Sequence, residues 1–245
     1  MVKRGGALAV LSTIRAVAET GSTNADMVQL ARSGLGEGVW LRAERQTAGR
    51  GRQGRPWVSP AGNLSASTLV RLRPTDPAAA TLGLVGGVAL DEAVRVYLRE
   101  GGLALKWPND LLLNGAKLSG VLLERVDDAV VVGVGANLAH HPDLPDRPTT
   151  SLAAAGVEVA PSDFAETLAE AFARWVSTWR GQGVAPVRAR WLERAHPIGT
   201  ALSARLPDGS AIQGLFAGLD GDGALSLRLA DGSSRVIHAA DILLG

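Results

Sequence analysis

The sequence predicts an α/β (α+β) fold followed by a small all-β module at the C terminus, and two observations support this class. Between residues 14 and 195, runs typical of strands alternate with segments in which apolar residues recur at helical spacing. After His196 and Pro197, three turn signals separate short alternating strands, a pattern typical of a small β-barrel or β-sandwich. We therefore predict two domains, residues 1–195 and residues 196–245.

The apolar patterns also predict the individual elements. Strands are expected over residues 14–19, 39–44, 63–71, 103–107, 111–113, 116–124, 129–134, 202–206 and 225–229. A first helix begins at a Ser22 or Asn24 cap and ends near residue 32, and a second runs from about residue 77 to the Gly101-Gly102 pair. A capping box formed by Ser162 or Asp163 with Glu166 opens a third helix, and a short fourth helix covers residues 187–194.

Composition indicates a globular chain with a balanced surface. Of its 245 residues, 46% are hydrophobic, which is enough for a sizeable core. The 25 basic and 24 acidic side chains give a net charge of +1, which disfavours a general nucleic-acid surface. The absence of cysteine excludes disulfides, thiolate metal sites and cysteine nucleophiles, and it fits a reducing compartment.

The N-terminal residues resemble a signal peptide only in part. Lys3 and Arg4 precede an apolar run, but Arg15 lies between that run and the candidate cleavage site. Cleavage there would also remove the first predicted strand. No stretch is long and apolar enough to span a membrane, so we expect a cytoplasmic protein with no membrane partner.

A loop rich in glycine and arginine, residues 44–57, separates the second and third predicted strands. Its glycines let the backbone approach a ligand, and its arginine forks suit phosphate or carboxylate; these residues are Gly49, Arg50, Gly51, Arg52, Gly54 and Arg55. Trp57 closes the loop and can stack on a ring. The loop alone would also fit a solvated basic turn or a segment that grips RNA. The near-zero net charge favours a small-molecule anion site.

Polar side chains begin the first predicted helix. Ser22, Thr23 and Asn24 are residue types that commonly cap a helix. Their hydroxyl and amide groups could also bind a polar group of a ligand. The sequence leaves both roles open.

The Asn114-Gly115 pair between two apolar runs predicts a tight hairpin. In the simplest register Asp110 lies opposite Ser119, and Asp110, Lys117 and Ser119 share one face. The pair could be an ordinary cross-strand ion pair. Lysine usage argues against that, because the chain has three lysines against 22 arginines, which suggests that a compact charge is needed at Lys117.

Two further patterns do not support a cofactor or metal site. The stretch from Gly133 to Asn137 begins like a dinucleotide fingerprint but lacks its third glycine and the helix that should follow. His140 and His141 have no acidic or histidine partners at ligand spacing. We therefore expect no metal held by a cluster of protein side chains.

Five motifs, in this order and spacing, closely resemble those of the biotin protein ligases. They are Ser22-Thr23-Asn24, the Gly49 to Arg55 run with Trp57, Lys106-Trp107-Pro108-Asn109-Asp110, Lys117-Leu118-Ser119-Gly120, and Gly135-Ala136-Asn137. The resemblance covers essentially the whole chain. It implies a mixed β-sheet catalytic domain packed by helices and an SH3-like C-terminal barrel. The 21 residues before Ser22 are too few for the winged-helix DNA-binding domain of bifunctional members, so we expect no DNA binding.

The resemblance also implies a reaction in two steps. Biotin is activated by ATP as biotinyl-5′-AMP, and biotin is then transferred to a lysine of a biotin carboxyl carrier protein domain, as in acetyl-CoA carboxylase. No covalent enzyme intermediate is needed. Mg²⁺ would accompany ATP, near Asn109. A lipoate or octanoate ligase or transferase of related fold is the alternative. The chain is expected to be a monomer or a homodimer.

The resemblance implies roles for fifteen residues. The biotin-binding residues would be Ser22, Thr23, Asn24, Gln46, Arg50, Gly51, Arg52, Lys117 and Gly120. The ATP-binding residues would be Arg52, Arg55, Trp57, Lys106, Asn109, Lys117 and Asn137. Lys117 and Arg52 would stabilise charge between the carboxylate and the phosphate, and Asp110 would orient the incoming amine.

Overall fold

A computed structural model describes residues 12–99 and 101–244, and over these residues the chain forms two sheets and four α-helices. The helices are α1 (Thr23–Arg32), α2 (Leu82–Tyr97), α3 (Pro161–Gln182) and α4 (Val184–Arg194). The strands are β1 (Thr13–Thr20), β2 (Val39–Gln46), β3 (Leu64–Arg71), β4 (Leu103–Lys106), β5 (Asp110–Leu113), β6 (Ala116–Val126), β7 (Ala129–Ala136), β8 (Ala201–Arg205), β9 (Ala211–Leu219), β10 (Leu225–Arg228), β11 (Ser234–Ile237) and β12 (Asp241–Leu244). Lys3, Arg4 and the start of the apolar run that resembles a signal peptide lie outside the described residues.

The larger sheet is mixed, as expected. Its seven strands follow the order β1-β2-β3-β7-β6-β5-β4; β1 runs parallel to β2, and the remaining neighbours are antiparallel. Helices cover both faces. The short helix α1 packs on one face, against β3 and β7, and the helices α2, α3 and α4 pack together on the other. The central strands are therefore buried and read as nearly continuous apolar runs.

The main core lies between the sheet and helices α2 and α3. Helix α2 is apolar around most of its circumference because it is enclosed by the sheet, α3 and α4. Gly86 permits close contact with the sheet, since an added Cβ would lie 3.0 Å from a methyl group of Val121. Aromatic side chains of α3 also belong to this core, and Phe172 packs edge-on against Trp40 with ring centroids 5.5 Å apart.

Three helix starts differ from the sequence prediction. Helix α2 begins at Leu82, after a 3-10 turn over Ala79–Thr81, rather than near residue 77. Helix α3 begins at Pro161 and has no side-chain cap, so the capping box expected from Ser162 or Asp163 with Glu166 is wrong. Proline suits the first helical position because no intrahelical bond needs its missing N–H. Helix α4 begins at Val184 rather than at residue 187.

The predicted hairpin forms, but its register contains a bulge. Leu112 lies opposite Lys117 as expected; beyond that pair the register shifts, so that Asp110 lies opposite Gly120. The prediction that Asp110 faces Ser119 is therefore wrong. An extra residue in β6 turns Ser119 away from the shared face, and its hydroxyl donates to the backbone oxygen of Gly135.

The C-terminal module is a five-stranded antiparallel sheet of order β11-β10-β9-β8-β12, which agrees with the predicted small β module. It contacts the preceding part of the chain through α4, which packs against β9, and through Trp107, whose indole N–H donates to the backbone oxygen of Gly223 at 3.0 Å. None of the helices that the structure describes has the length and apolarity needed to cross a membrane.

Candidate functional site

A cavity of about 290 Å³ lies on the α1 face of the large sheet. Fourteen of the fifteen residues assigned from the sequence line it: Ser22, Thr23, Asn24, Gln46, Arg50, Gly51, Arg52, Arg55, Trp57, Asn109, Asp110, Lys117, Gly120 and Asn137. Lys106 is the exception. The fold thus brings together segments that are separated by more than one hundred positions along the chain.

A transverse row of four paired residues forms the floor of the cavity. Ser65 in β3 pairs with Gly135 in β7, which pairs with Gly120 in β6, which pairs with Asp110 in β5. The two glycines make room for side chains that lie over them. An added Cβ on Gly135 would lie 2.4 Å from the Trp57 ring, and one on Gly120 would lie 3.4 Å from the Lys117 ammonium. The bulge in β6 is what places Gly120 in this row.

Lys117 and Asp110 form an ion pair at one end of the row. The Lys117 ammonium donates to Asp110 Oδ1 at 2.6 Å, and the two side chains are 18% and 12% exposed. The ammonium also lies 5.7 Å from the centroid of the Trp57 ring. A compact cation is thus held between a carboxylate and an aromatic face, open to the cavity.

Two further cations lie close to this pair. Burial lowers the pKa of Lys106, and the neighbouring charge of Lys117 lowers it further, against the opposing effect of Asp110. Burial also lowers the pKa of Arg52, against the effect of Asp241 and Asp110. Concentrated positive charge in a partly dry site is a setting in which an added anion is stabilised strongly.

The glycine- and arginine-rich loop folds back on itself over the cavity. Gly51 N donates to the backbone oxygen of Arg55 at 2.7 Å, and Trp57 N donates to that of Gly49 at 2.9 Å. Gly49 is required here, because an added Cβ would lie 2.5 Å from the backbone oxygen of Trp57. The loop therefore holds its arginines and Trp57 at the cavity without regular secondary structure beyond one 3-10 turn.

The same loop contacts the C-terminal module. The Arg55 guanidinium is paired with the carboxylate of Asp241, the first residue of β12. Arg52 donates to the backbone oxygen of Ala240 at 3.3 Å and lies 4.0 Å from Asp241. Sequence reasoning did not assign Asp241 to the site, since nothing local signals a contact with residues 186 positions away.

The polar residues at the start of α1 meet Gln46 at the other end of the cavity. Thr23 donates to Gln46 Oε1 through its backbone N at 2.8 Å and its hydroxyl at 3.1 Å, and Gln46 Nε2 donates to Ser59. Ser22 caps the helix, accepting a 3.4 Å bond from Ala25 N. Ser22 therefore both caps α1 and lines the cavity.

The side chain of Asn24 is engaged within the protein. Its amide N donates to Glu124 at 2.7 Å, and its Oδ1 accepts from Ser67 at 2.6 Å. Gly133 makes room for it, because an added Cβ would lie 2.0 Å from Asn24 Oδ1. Asn24 therefore ties α1 to the central strands at the edge of the cavity.

Asparagine side chains lie around the Lys117 end. Asn109 Nδ2 donates to the backbone oxygen of Val121 at 2.7 Å, and Asn137 Nδ2 donates to that of Thr150 at 3.0 Å. Asn137 Oδ1 is buried and has no hydrogen-bond partner among the described residues. Arg147, which the sequence did not single out, also lines the cavity and pairs with Asp146.

The described residues contain no group of three or more histidine, aspartate, glutamate or cysteine side chains that could hold a metal ion. Within the described residues, the Asn109 side chain makes one hydrogen bond, from Nδ2 to the backbone oxygen of Val121, and its Oδ1 makes none. Such an oxygen suits Mg²⁺ that arrives with nucleotide phosphates and keeps most of its own water ligands.

Comparison with protein families matches both parts of the chain. The model of the biotin/lipoate A/B protein ligase family matches residues 20–137, and that of the biotin protein ligase C terminal domain matches residues 198–245. A biotin–[acetyl-CoA-carboxylase] ligase of Paracoccus denitrificans is 41% identical over 241 residues, which are 94% of this chain and 99% of the relative.

Solved structures have the same fold. A biotin protein ligase from Aquifex aeolicus in complex with biotin and ATP superimposes with a TM-score of 0.82 at 24% identity, covering 95% of this chain and 98% of its own. One from Leishmania major in complex with biotinyl-5-AMP gives 0.67 at 28% identity, covering 93% and 99%. With motifs, cavity and full-length relatives in agreement, the chain belongs to the biotin protein ligase family.

Proposed function

We propose that this protein activates biotin with ATP as biotinyl-5′-AMP and transfers the biotinyl group to a lysine of a biotin carboxyl carrier protein domain. One observation supports the proposal. A single cavity is lined by a polar cluster (Ser22, Thr23 and Gln46), by the ion pair of Lys117 and Asp110, and by the arginines of the glycine- and arginine-rich loop. These match the parts of an acid that is to be adenylated, which has a polar head, a carboxylate and a nearby phosphate.

In the first step, an oxygen of the biotin carboxylate bonds to the α-phosphorus of ATP while the bond to pyrophosphate breaks. Lys117 lies where it can stabilise the charge shared by the carboxylate and phosphoryl oxygens, and Arg52 adds a second cation. The backbone of Gly51 and the guanidinium of Arg50 cover the same end. Arg55 faces the departing phosphates. Catalysis here is positioning plus electrostatics, so no nucleophilic side chain is needed.

In the second step, the amine of the acceptor lysine bonds to the carbonyl carbon of biotinyl-5′-AMP, and AMP departs with the electrons of the broken C–O bond. The attacking amine must be neutral, and the proton that it loses as the amide forms passes to water. Asp110 lies at the reacting end, where its carboxylate can orient the amine. Its bond to Lys117 couples the groups that serve the two steps.

The nucleotide would occupy the Lys117 end of the cavity. Trp57 would stack on the adenine, with Asn109 and Asn137 contributing polar contacts. Lys106 does not line the cavity, and its charge would act on the phosphates from beside Asp110 and Lys117. The buried, unpaired Oδ1 of Asn137 supports this placement, because a ligand N–H or hydroxyl would satisfy it. Mg²⁺ beside Asn109 would neutralise phosphate charge.

The polar cluster favours biotin over lipoate or octanoate. Ser22, Thr23 and Gln46 offer hydrogen-bonding groups that a ureido ring can use and that an apolar head would leave poorly paired. The Paracoccus relative, which matches this chain over nearly its full length, is named a biotin–[acetyl-CoA-carboxylase] ligase. That name supports biotin as the substrate and a carboxylase carrier domain as the partner.

The proposal is tested by the exchange of labelled pyrophosphate into ATP, measured with each candidate carboxylic acid as substrate. We expect exchange with biotin and background exchange with lipoate or octanoate at equal concentration. Adding a carrier domain should yield biotinylated carrier, and a carrier with its acceptor lysine changed to arginine should remain unmodified. Exchange that requires lipoate or octanoate instead of biotin would contradict the proposed substrate.

A further inference from the structure

The hydroxyl oxygen of Ser65 has no role in the site as described so far. The residue lies in β3, is 3% exposed and lines the cavity. Its Oγ has no hydrogen-bond partner in the part of the chain that the structure describes. Buried hydroxyls nearly always have a partner, because burial removes their bonds to water. An unpaired hydroxyl facing a ligand cavity indicates a partner that comes from the ligand.

Ser67 provides an internal comparison. It lies two residues further along β3 and therefore on the same face. Its hydroxyl lies 2.8 Å from that of Thr23 and donates to Asn24 at 2.6 Å. Ser67 is thus satisfied by helix α1. Ser65 has an identical side chain on the same strand face, but it faces the cavity instead.

The strand register places Ser65 relative to the reacting end. Ser65 pairs with Gly135, and Gly135 pairs with Gly120, beside which the Lys117 ammonium lies. Neighbouring strands lie about 4.8 Å apart, so Ser65 is roughly 10 Å from Gly120. The glycine between them contributes no side chain to the floor. The Trp57 ring lies over Gly135, so an acid with its carboxylate at Lys117 would extend its chain along that ring and bring its head group to Ser65.

We propose that Ser65 is a specificity-determining residue that hydrogen-bonds the ureido group of biotin. The inference rests on the proposed function, which places the biotin carboxylate beside Lys117. A ureido group has N–H donors and a carbonyl acceptor, whereas the thioether sulfur is only a weak acceptor. The heads of lipoate and octanoate have no comparable group, so binding either would leave the Ser65 hydroxyl buried and unpaired.

The test compares Ser65→Ala with wild type in pyrophosphate exchange. We expect the KM for biotin to rise about tenfold, the factor that one hydrogen bond supplies, with kcat within about twofold. Desthiobiotin keeps the ureido group and lacks the sulfur, so its KM should rise by the same factor. Octanoate at high concentration should bind both proteins alike, because it has no head group for Ser65 to bond.

Thermal melting without ligand separates this role from a structural one. Ser65→Ala should melt at or above the wild-type temperature, because it removes an unpaired buried hydroxyl. Ser67→Ala should melt lower, because it breaks the contacts with Thr23 and Asn24. Saturating biotin should raise the melting temperature less in Ser65→Ala than in wild type.

If the proposed function itself is wrong, the wild-type protein will show no biotin-dependent exchange. This result differs from every result that concerns Ser65→Ala. With an active wild type, a biotin KM for Ser65→Ala within twofold overturns the inference. A penalty seen with biotin and lost with desthiobiotin overturns the ureido assignment. A ligand-free Ser65→Ala protein that melts as low as Ser67→Ala indicates a structural hydroxyl and also overturns it.

Discussion

At the scale of single residues, the glycines of β7 explain a motif that the sequence only partly interprets. Gly133 and Gly135 look like the start of a dinucleotide fingerprint, and the missing third glycine argues correctly against it. Their purpose is steric. Gly133 accommodates the Asn24 amide and Gly135 accommodates the Trp57 ring, so the loop and helix α1 can lie on the sheet. Sequence alone cannot reveal this, since the side chains concerned are distant along the chain.

Gly135→Ala tests the close contact with Trp57. The added Cβ would lie 2.4 Å from the ring, so Trp57 must move off the sheet and take its loop with it. We expect the KM for biotin and for ATP in pyrophosphate exchange to rise at least about tenfold, since misplaced binding groups lose more than one typical contact.

Gly36→Ala is the matched control, because an added Cβ there meets no atom within 4 Å. It should leave both KM values unchanged. A Gly135→Ala protein with wild-type KM values would show that the position of Trp57 does not matter for binding.

At the scale of elements, local sequence signals predict local structure well, but they do not predict features that depend on packing between distant segments. The Asn114-Gly115 turn and the contact between Asp110 and Lys117 follow from a hairpin, a local unit. The bulge in β6 does not, because it depends on how β6 fits against β7 as well as β5. Helix α3 similarly begins at Pro161 without the expected capping box.

The glycine- and arginine-rich loop is the element that we expect ligands to order. Trypsin should cut the free protein after Arg50, whose side chain is exposed, and more slowly after the half-buried Arg52. It should not cut after Arg55, because Pro56 follows. Biotin and ATP together should suppress both cuts, since the loop would close over the acyl-adenylate and shelter it from water.

Cleavage at an exposed arginine outside the site, such as Arg235, serves as the internal reference. Its rate should not respond to the ligands. Equal rates of loop cleavage with and without biotin and ATP would contradict ligand-induced ordering.

At the scale of the whole molecule, the C-terminal module contributes a residue to the lining of the cavity. Asp241 lines the cavity and holds Arg55, while the neighbouring Ala240 accepts from Arg52. The sequence predicts the module from its turns but does not predict this contact. The reason is physical: ion pairs between domains depend on how the domains dock, which local patterns do not encode.

Asp241→Asn tests whether the module holds the loop. The amide cannot form the ion pair with Arg55, so trypsin should cut the ligand-free loop faster, and the KM for ATP should rise several-fold. The melting temperature should change little, because the pair is partly exposed. Asp222→Asn, an exposed turn residue of the same module, is the control and should behave as wild type. Unchanged proteolysis in Asp241→Asn would contradict a holding role.

The central claim is that the Lys117 ammonium stabilises charge between carboxylate and phosphate, and Lys117→Arg tests it most directly. Arginine keeps the charge, so a merely structural ion pair with Asp110 predicts little change. A larger, planar guanidinium cannot occupy the same point. Lost stabilisation of this kind costs about 2.7–4 kcal/mol, or about 100- to 1,000-fold in rate.

The measurement is the initial rate of biotin-dependent pyrophosphate exchange at saturating biotin and ATP, with a melting curve of the same preparation. We expect a loss of about 100-fold or more with an unchanged melting temperature, since Lys117 faces the cavity rather than the core. A variant that melts normally and exchanges within about threefold of wild type, far less than that electrostatic loss, would contradict the account.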